Sequence, residues 1–452
     1  MITNYNNPSD RRHYPERWPL RRAKDLFTVV DERSQDGSEE LLTVSHKTGI
    51  TPRKNKNVSM FMAENLTGYK KCAIGDIPAN IMWMWQGAIG VSKYEGIVSP
   101  AYYVYRQKGD FFNPRYLDLL LREKHLVDVY HSLSTGLRPS RLRLYPEQFF
   151  TIDLPVPPRD EQEQIVRFLD WKCSKINQLI NLKQQQLTHL QYEKRIVINN
   201  ILTHNTQDNK TPPISCECIN DIPDGWEFRP LKHFVTSNDE SLSSKTDPDI
   251  EINYIDISTT GFGYLKKVPE HMFFSDAPSR ARRIVRNGDT IISTVRTYLK
   301  SICYIDNSLN GHIASTGFSV LRPRKNVFPK LLSYALCCDY FINQVIKEST
   351  GTSYPAINDQ KLLRIKVLVP TSLEEQKALY RYLENQTSKI DSAIDTLKDE
   401  ISVLYDLKTS LITDVITGGL DVRHFNVPDF EYVEEIFDKL TDDTDEDTPE
   451  EE

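Results

Sequence analysis

Residues 161–176 read EQEQIVRFLDWKCSKI, and residues 375–390 read EQKALYRYLENQTSKI. The stretches lie 214 residues apart, and at that offset Glu161-Gln162 falls on Glu375-Gln376 and Ser174-Lys175-Ile176 on Ser388-Lys389-Ile390. Each opens a long helical run, over about 160–202 and about 374–416. In the first, Leu169, Cys173, Ile176, Ile180, Lys183, Leu187, Leu190, Lys194, Val197 and Ile201 recur in alternating steps of four and three. The same offset gives Leu383, Thr387, Ile390, Ile394, Leu397, Ile401, Leu404, Lys408, Leu411 and Val415. A seam sustained at this spacing predicts a coiled coil. Both copies place a lysine, Lys194 or Lys408, at the same seam position.

At ~1.5 Å per residue, about 43 residues make a helix ~64 Å long, whose seam needs a partner. The nearest is the other copy. An antiparallel pair would carry a globular domain at each end, with Leu169, Ile176, Ile180, Leu187, Leu190 and Ile201 facing Leu383, Ile390, Ile394, Ile401, Leu404 and Val415. The competing arrangement is a coiled coil between two chains. Start signals are Pro157-Pro158 with Asp160 and the capping box Ser372-x-x-Glu375. Stop signals are Asn205 and Gly418-Gly419.

The repetition extends outward from the helices. Each half opens on a tryptophan and a basic, apolar segment, ERWPLRRAKDLF (16–27) and DGWEFRPLKHF (224–234). KKCAIGDI (70–77) and RRIVRNGDT (282–290) follow, and Gly75-Asp76 and Gly288-Asp289 read as turns feeding strands. Next come Ser134-Thr135-Gly136 and Ser349-Thr350-Gly351, then strand-like runs ending in proline, TIDLPVPP (151–158) and IKVLVP (365–370). A shared order at offsets close to 214 makes the unit of repetition a whole domain plus a helix. The expected fold is α+β: two mixed α/β domains separated by two long antiparallel coiled-coil helices, with a pseudo-two-fold internal repeat. The expected segments are a first domain (1–153), a first spacer helix (154–206), a second domain (207–367), a second spacer helix (368–424) and an acidic, disordered tail (425–452).

Composition agrees. The 452 residues are 39% hydrophobic and 26% charged, as in soluble globular proteins. No apolar run approaches the ~20 residues needed to cross a bilayer. The best candidate, residues 81–91, reads as a buried strand. The opening MITNYNNPSDRRHY lacks an apolar core, so no signal peptide is read and the expected location is the cytoplasm. The seven cysteines, including Cys216, Cys218, Cys337 and Cys338, make no C-x-x-C pair and read as core thiols. The net charge is −7, but residues 425–452 hold 13 acidic residues and one lysine, leaving the rest at +5. A mildly basic body permits a nucleic-acid partner.

A proline-ended strand, an E-Q pair, an apolar helix carrying S-K-I-[DN] and a long seam ending near I-L-T or V-I-T, found twice, resemble the conserved regions of Type I restriction–modification specificity subunits. The resemblance covers most of residues 16–420. It implies that each domain is a target-recognition domain reading one half of a bipartite double-stranded DNA site. It also implies that the helices dock two modification subunits, which methylate adenine with S-adenosylmethionine, and that ATP-driven restriction subunits join that core. This chain would then be non-catalytic and carry no cofactor or metal, with S-adenosylmethionine, ATP and Mg in partner subunits. It would have no membrane partner. Two half-sites would be spaced by the domain separation, making the helices a ruler. Two alternatives keep parts of this picture: the specificity subunit of an enzyme whose partner both cuts and methylates, and a coiled-coil scaffold without DNA.

Motifs for catalysis are incomplete. Asn113-Pro114-Arg115-Tyr116 is similar to the N-P-P-Y loop of adenine methyltransferases, but Arg115 replaces the second proline. Gly261-Phe262-Gly263 lacks methyl-donor spacing, and no G-x-x-x-x-G-K-[ST] loop is present. Contacts to DNA call for cations and polar side chains that reach phosphates and base edges. The candidates after the first S-T-G are Arg138, Arg141 and Arg143; after the second they are Ser353, Tyr354 and Asn358. Arg280, Arg282 and Arg283 form another cluster. Arg296 and Lys300 flank Tyr298, and Lys54 and Lys56 lie in a polar loop.

Overall fold

The structure is a computed structural model that describes residues 14–46, 48–55, 65–136, 142–203, 222–243, 245–351 and 354–434. The two periodic runs are single helices, Arg159–Thr203 and Leu373–Ile416. The chain divides into two compact units, Met1–Gln184 with Asp399–Glu452, and Gln185–Lys398. Each long helix gives one half to each unit, so the units cut across the helices that the sequence reading set apart as separate segments.

In the first unit, strand Leu20–Arg22 pairs antiparallel with Asp153–Pro155. A three-stranded sheet runs Phe27–Val30, Tyr103–Gln107, Ile77–Ala79. Helices Pro114–Leu121 and Lys124–Leu133 cover the core. Phe27, Tyr105, Leu117 and Phe149 pack there with Ile165, Phe168 and Leu169 of the first long helix and Val415 and Ile416 of the second. In the second unit, Trp226–Pro230 pairs antiparallel with Lys366–Pro370. Val235–Ser237, Phe318–Pro323, Thr290–Ser293 and Ile302–Tyr304 form a sheet in that order, and Pro329–Leu336 and Asp339–Glu348 are the matching helices. Its core takes Ile198 and Leu202 from the first long helix and Tyr380 and Leu383 from the second. The second unit also has a four-stranded sheet, Glu270–Phe273, Glu251–Ile255, Ile313–Ser315, Ala281–Ile284, where the first has the hairpin Leu42–Ser45/Gly49–Pro52.

The motifs that repeat are the ones that close each domain. Gln162 is fully buried; its amide donates to the carbonyls of Phe111 and Pro157, both at 2.9 Å, and its Oε1 accepts from Asn113 N–H at 2.7 Å. Gln376 does the same with Asn326, Pro370 and Phe328. Each glutamine ties its long helix to the preceding strand and to the entry of a domain helix. The Gly-Asp turns lead directly into strands Ile77–Ala79 and Thr290–Ser293. Each aspartate is buried and grips an arginine two-pronged, Asp76 with Arg106 at 2.7 and 2.8 Å, and Asp289 with Arg322 at 2.9 Å twice. A buried carboxylate needs that fork to offset its desolvation.

The helices pair antiparallel within each unit. Lys183 reaches Glu400 at 2.7 Å in the first, and Lys194 of the seam reaches Asp391 in the second. The seam is not uniform. Leu169, Val415 and Leu383 belong to the domain cores, and Ile201 packs against one. Ile176, Ile180 and Ile394 are buried. Leu187, Leu190, Ile390, Ile401 and Leu404 are half-buried, as an isolated helix pair leaves them.

Two readings are corrected, and the incomplete N-P-P-Y match finds its local role. Residues 81–91 are not a strand: Met84–Gln86 is a 3-10 turn closed by Gly87 at φ +92°. Asn113-Pro114-Arg115-Tyr116 is a helix start; Asn113 caps Arg115 N–H at 2.9 Å, Pro114 takes the first turn and Tyr116 is buried. Residues 425–434, expected to be disordered, lie against the first long helix, with Phe425 edge-on to Phe168 at 5.1 Å and Val427 buried. The capping box is partial, since Glu375 N–H reaches Ser372 Oγ only at 3.5 Å and its carboxylate accepts from Trp226 Nε1 at 3.0 Å instead. Asn205, Cys216 and Cys218 fall outside the described residues. Cys337 is half-buried and Cys338 buried, both free thiols.

Candidate nucleic-acid interface

The S-T-G triplets root two loops identically. Ser134 and Ser349 each end a helix, donating to the carbonyls of Tyr130 and Val345 at 2.7 Å. Thr135 then pairs both ways with the backbone of Arg143, and Thr350 with that of Ala356, all at 2.9 Å. Each loop is thus pinched shut at its base. Arg138 and Arg141 of the first loop and Thr352 and Ser353 of the second fall outside the described residues, as does Lys56. Arg143 is half-buried at the pinch.

In the second unit the loop packs on the turn that follows strand Thr290–Ser293. Ile357 N–H donates to Thr294 O at 2.8 Å, and the Thr297 and Ser349 hydroxyls meet at 2.8 Å. The turn Thr297–Leu299 is flanked by Arg296 at φ +51° and Lys300 at φ +52°. Left-handed backbone at two non-glycine residues costs of order 1 kcal/mol each and persists only where surroundings enforce it. It brings both cations onto one short segment with Tyr298; the tyrosine is exposed and the two cations are half-buried. The Arg296 guanidinium lies 4.8 Å over the Tyr354 ring, joining two clusters that sequence reading had kept separate. Tyr298 is 51% exposed and Tyr354 58%. Burial holds the Lys300 amine below its ordinary pKa, with help from the Arg195 charge and against Asp339. Half-buried cations beside exposed aromatic rings can pair with phosphates, donate to base edges and stack on bases.

Arg280 lies close by and is exposed. Its carbonyl accepts from Thr316 N–H, and the next residue, Gly317, accepts from Thr294 N–H, both at 2.8 Å. Arg282 and Arg283 lie where strand Ala281–Ile284 shifts register against Ile313–Ser315, and both are half-buried. Arg282 stacks on Phe274 at 4.8 Å, and both are half-buried. Lys54 is tied to Glu40. Asn358 caps the helix Asp359–Leu362 by accepting from Lys361 N–H at 2.8 Å, a structural use of that side chain.

The corresponding turn of the first unit was missed by sequence reading. Trp83 and Trp85 stand 213 residues before Arg296 and Tyr298, and Gly87, left-handed, takes the place of Lys300. Their rings stack at 6.0 Å, and Trp85 also meets His131 at 5.7 Å. The repeat offset was the signal that could have found them. Among the described residues no cluster of His, Cys, Asp or Glu could hold a metal, and no helix is long and apolar enough to cross a membrane.

A family model described as the Type I restriction modification DNA specificity domain matches residues 15–189 and again 223–402. The chain is 23% identical over 435 residues to the Type I restriction enzyme MjaVIII specificity subunit of Methanocaldococcus jannaschii, covering 91% of this chain and 95% of that one. It is 28% identical over 109 residues to the Type I restriction enzyme HindI specificity subunit of Haemophilus influenzae, 23% of each chain. A chain solved in a study of the assembly and conformational transition of the type I R-M system aligns over 90% of this chain and 99% of its own, at 17% identity and TM-score 0.49.

Proposed function

Because this chain belongs to the Type I restriction modification DNA specificity domain family, we propose that it reads a bipartite double-stranded DNA site, one half per unit, and scaffolds two adenine methyltransferase subunits. Restriction subunits join through that core. S-adenosylmethionine, ATP and Mg act in those partners, and this chain's work is positioning.

The observation that carries the reading is a shared frame holding different readers. Gln162 and Gln376, the Asp-Arg forks and the S-T-G pinches are the same in both units. The turn each frame presents differs: Trp83, Trp85 and Gly87 in one, Arg296, Tyr298 and Lys300 in the other. Two readers of unlike chemistry on one frame suit two unlike half-sites. Arginine and lysine favour guanine edges and phosphates, whereas paired tryptophans offer apolar surface to stacked bases and thymine methyls.

The test is to map methylated adenines after co-expression with the modification subunit. The expected motif has two unequal halves around a fixed gap. Replacing Arg296 and Tyr298 with alanine should relax or change one half and leave the other intact. A continuous motif, or equal change in both halves, would overturn the reading.

A further inference from the structure

After Gly418 the chain turns back and runs along the first long helix as an extended strap, read through its backbone. Gln164 Nε2 donates to the carbonyls of Val422 at 3.0 Å and Phe425 at 2.7 Å, and Arg167 to that of Val427 at 3.1 Å. Asn177 Nδ2 donates to Val433 O at 2.9 Å and Asn181 Nδ2 to Glu434 O at 3.2 Å, while Val433 N–H donates to Ser174 Oγ at 3.2 Å. Val422 and Val427 are buried in the first unit's core. Order in this segment therefore rests on burial as well as on hydrogen bonds.

The second long helix cannot read a strap in this way. At the 214-residue offset Gln164, Asn177 and Asn181 become Ala378, Asp391 and Asp395. Ionised aspartates only accept hydrogen bonds, so they offer nothing to a carbonyl. Asp391 is engaged by Lys194, and Asp395 by Lys398 at 3.5 Å. The Ser-Lys-Ile triplet, kept in both copies, meets two fates. Ser174 is 2% exposed under the strap, whereas Ser388 is exposed and bonds only within its own helix, to Asn385 O. Ile176 and Ile390 serve the seam and Lys175 and Lys389 are exposed in both copies, so the serine is where the two surfaces differ, covered in one and open in the other.

We propose that the strap, residues 420–434, occupies on the first helix the surface that the second helix offers to a modification subunit, so that the two docking positions are unequal. This rests on the reading above, in which the helices dock that partner. The strap would make the position in the first unit the weaker one, filled only when the strap yields.

Native mass spectrometry of the full chain titrated with the modification subunit tests this. Two binding steps at least tenfold apart in Kd are expected. Truncation after Gly419 should bring them within about threefold. So should the triple variant Gln164→Ala, Asn177→Asp, Asn181→Asp, which installs the second helix's residues and keeps Val422 and Val427 available to the core. The triple variant should also expose residues 420–434 to limited proteolysis. Equal affinities in the full chain, or an unchanged ratio after the strap is released, overturn the inference alone. Failure of the partner to bind any form overturns it together with the reading it rests on.

Discussion

Replacing Gln162 with leucine removes three hydrogen bonds at one point and adds no charge. The side chain is fully buried, so water cannot readily take its place. The Pro157 carbonyl would lose its partner in a buried setting, and Phe111 O and Asn113 N–H would lose theirs where partly buried. An orphaned buried backbone group costs about 1–3 kcal/mol, less where water has access. One full and two reduced penalties give a loss of about 3–5 kcal/mol, offset by roughly 1 kcal/mol for the added apolar surface. Gln376→Leu should cost the second unit a similar amount, because its three bonds repeat the pattern. Urea unfolding followed by tryptophan fluorescence reads the effect. A loss near 3 kcal/mol lowers the midpoint by about 1–3 M at the slopes usual for single domains. A shift below about 0.3 M in both variants would show that these glutamines do not hold their domains closed.

Two further outcomes concern the first unit. Burial raises the Glu123 carboxyl to about 7, despite its bonds to His125 and Leu126 N–H. A folded pKa above the ordinary ~4.3 means the native state binds the proton more tightly than the unfolded chain does. Stability should therefore fall by about 3 kcal/mol as pH rises from about 4.5 to 7 and level off above. Glu123→Gln should flatten that slope, and a parallel pH profile for the two proteins would refute the assignment. Gly418 is left-handed at φ +75°, and a Cβ there would stand 2.4 Å from Pro15 and 2.9 Å from Trp18. Gly418→Ala should cost about 2 kcal/mol or more, and an unchanged unfolding midpoint would contradict that packing.

The long helices were legible because a 3.5-residue seam is a property of local order in the chain. Their ends were read to within a residue or so, but what those ends pack against was not. Leu169, Leu383 and Val415 fit the seam by spacing yet are used by the domains, and spacing cannot tell one apolar neighbour from another. The Glu-Gln pair was visible as a repeat, but Gln162 acquires its role only when Phe111, Asn113 and Pro157 converge on it. Residues 81–91 misled because an apolar run buries equally well as a turn once a glycine, here Gly87, supplies a left-handed residue. The tail misled because its charge was averaged. Val427 and Phe430 come early in it and supply burial, and most of the acids follow. At the reading turn, Arg296 and Lys300 were found as cations flanking a tyrosine, while Trp83 and Trp85 lay inside the run read as a buried strand; both are half-buried, and Trp83 packs against a small core.

The division of the chain has a bearing on its synthesis. The second unit is one uninterrupted piece, whereas the first is assembled from both ends of the polypeptide. A growing chain that has made residue 184 still lacks Val415 and Ile416, which complete the first core. At translation rates of about 5–20 residues per second, the intervening roughly 200 residues take on the order of 10–40 s to emerge. Through that interval Ile165, Phe168 and Leu169 wait with part of their apolar surface uncovered, so the half made first is the half finished last.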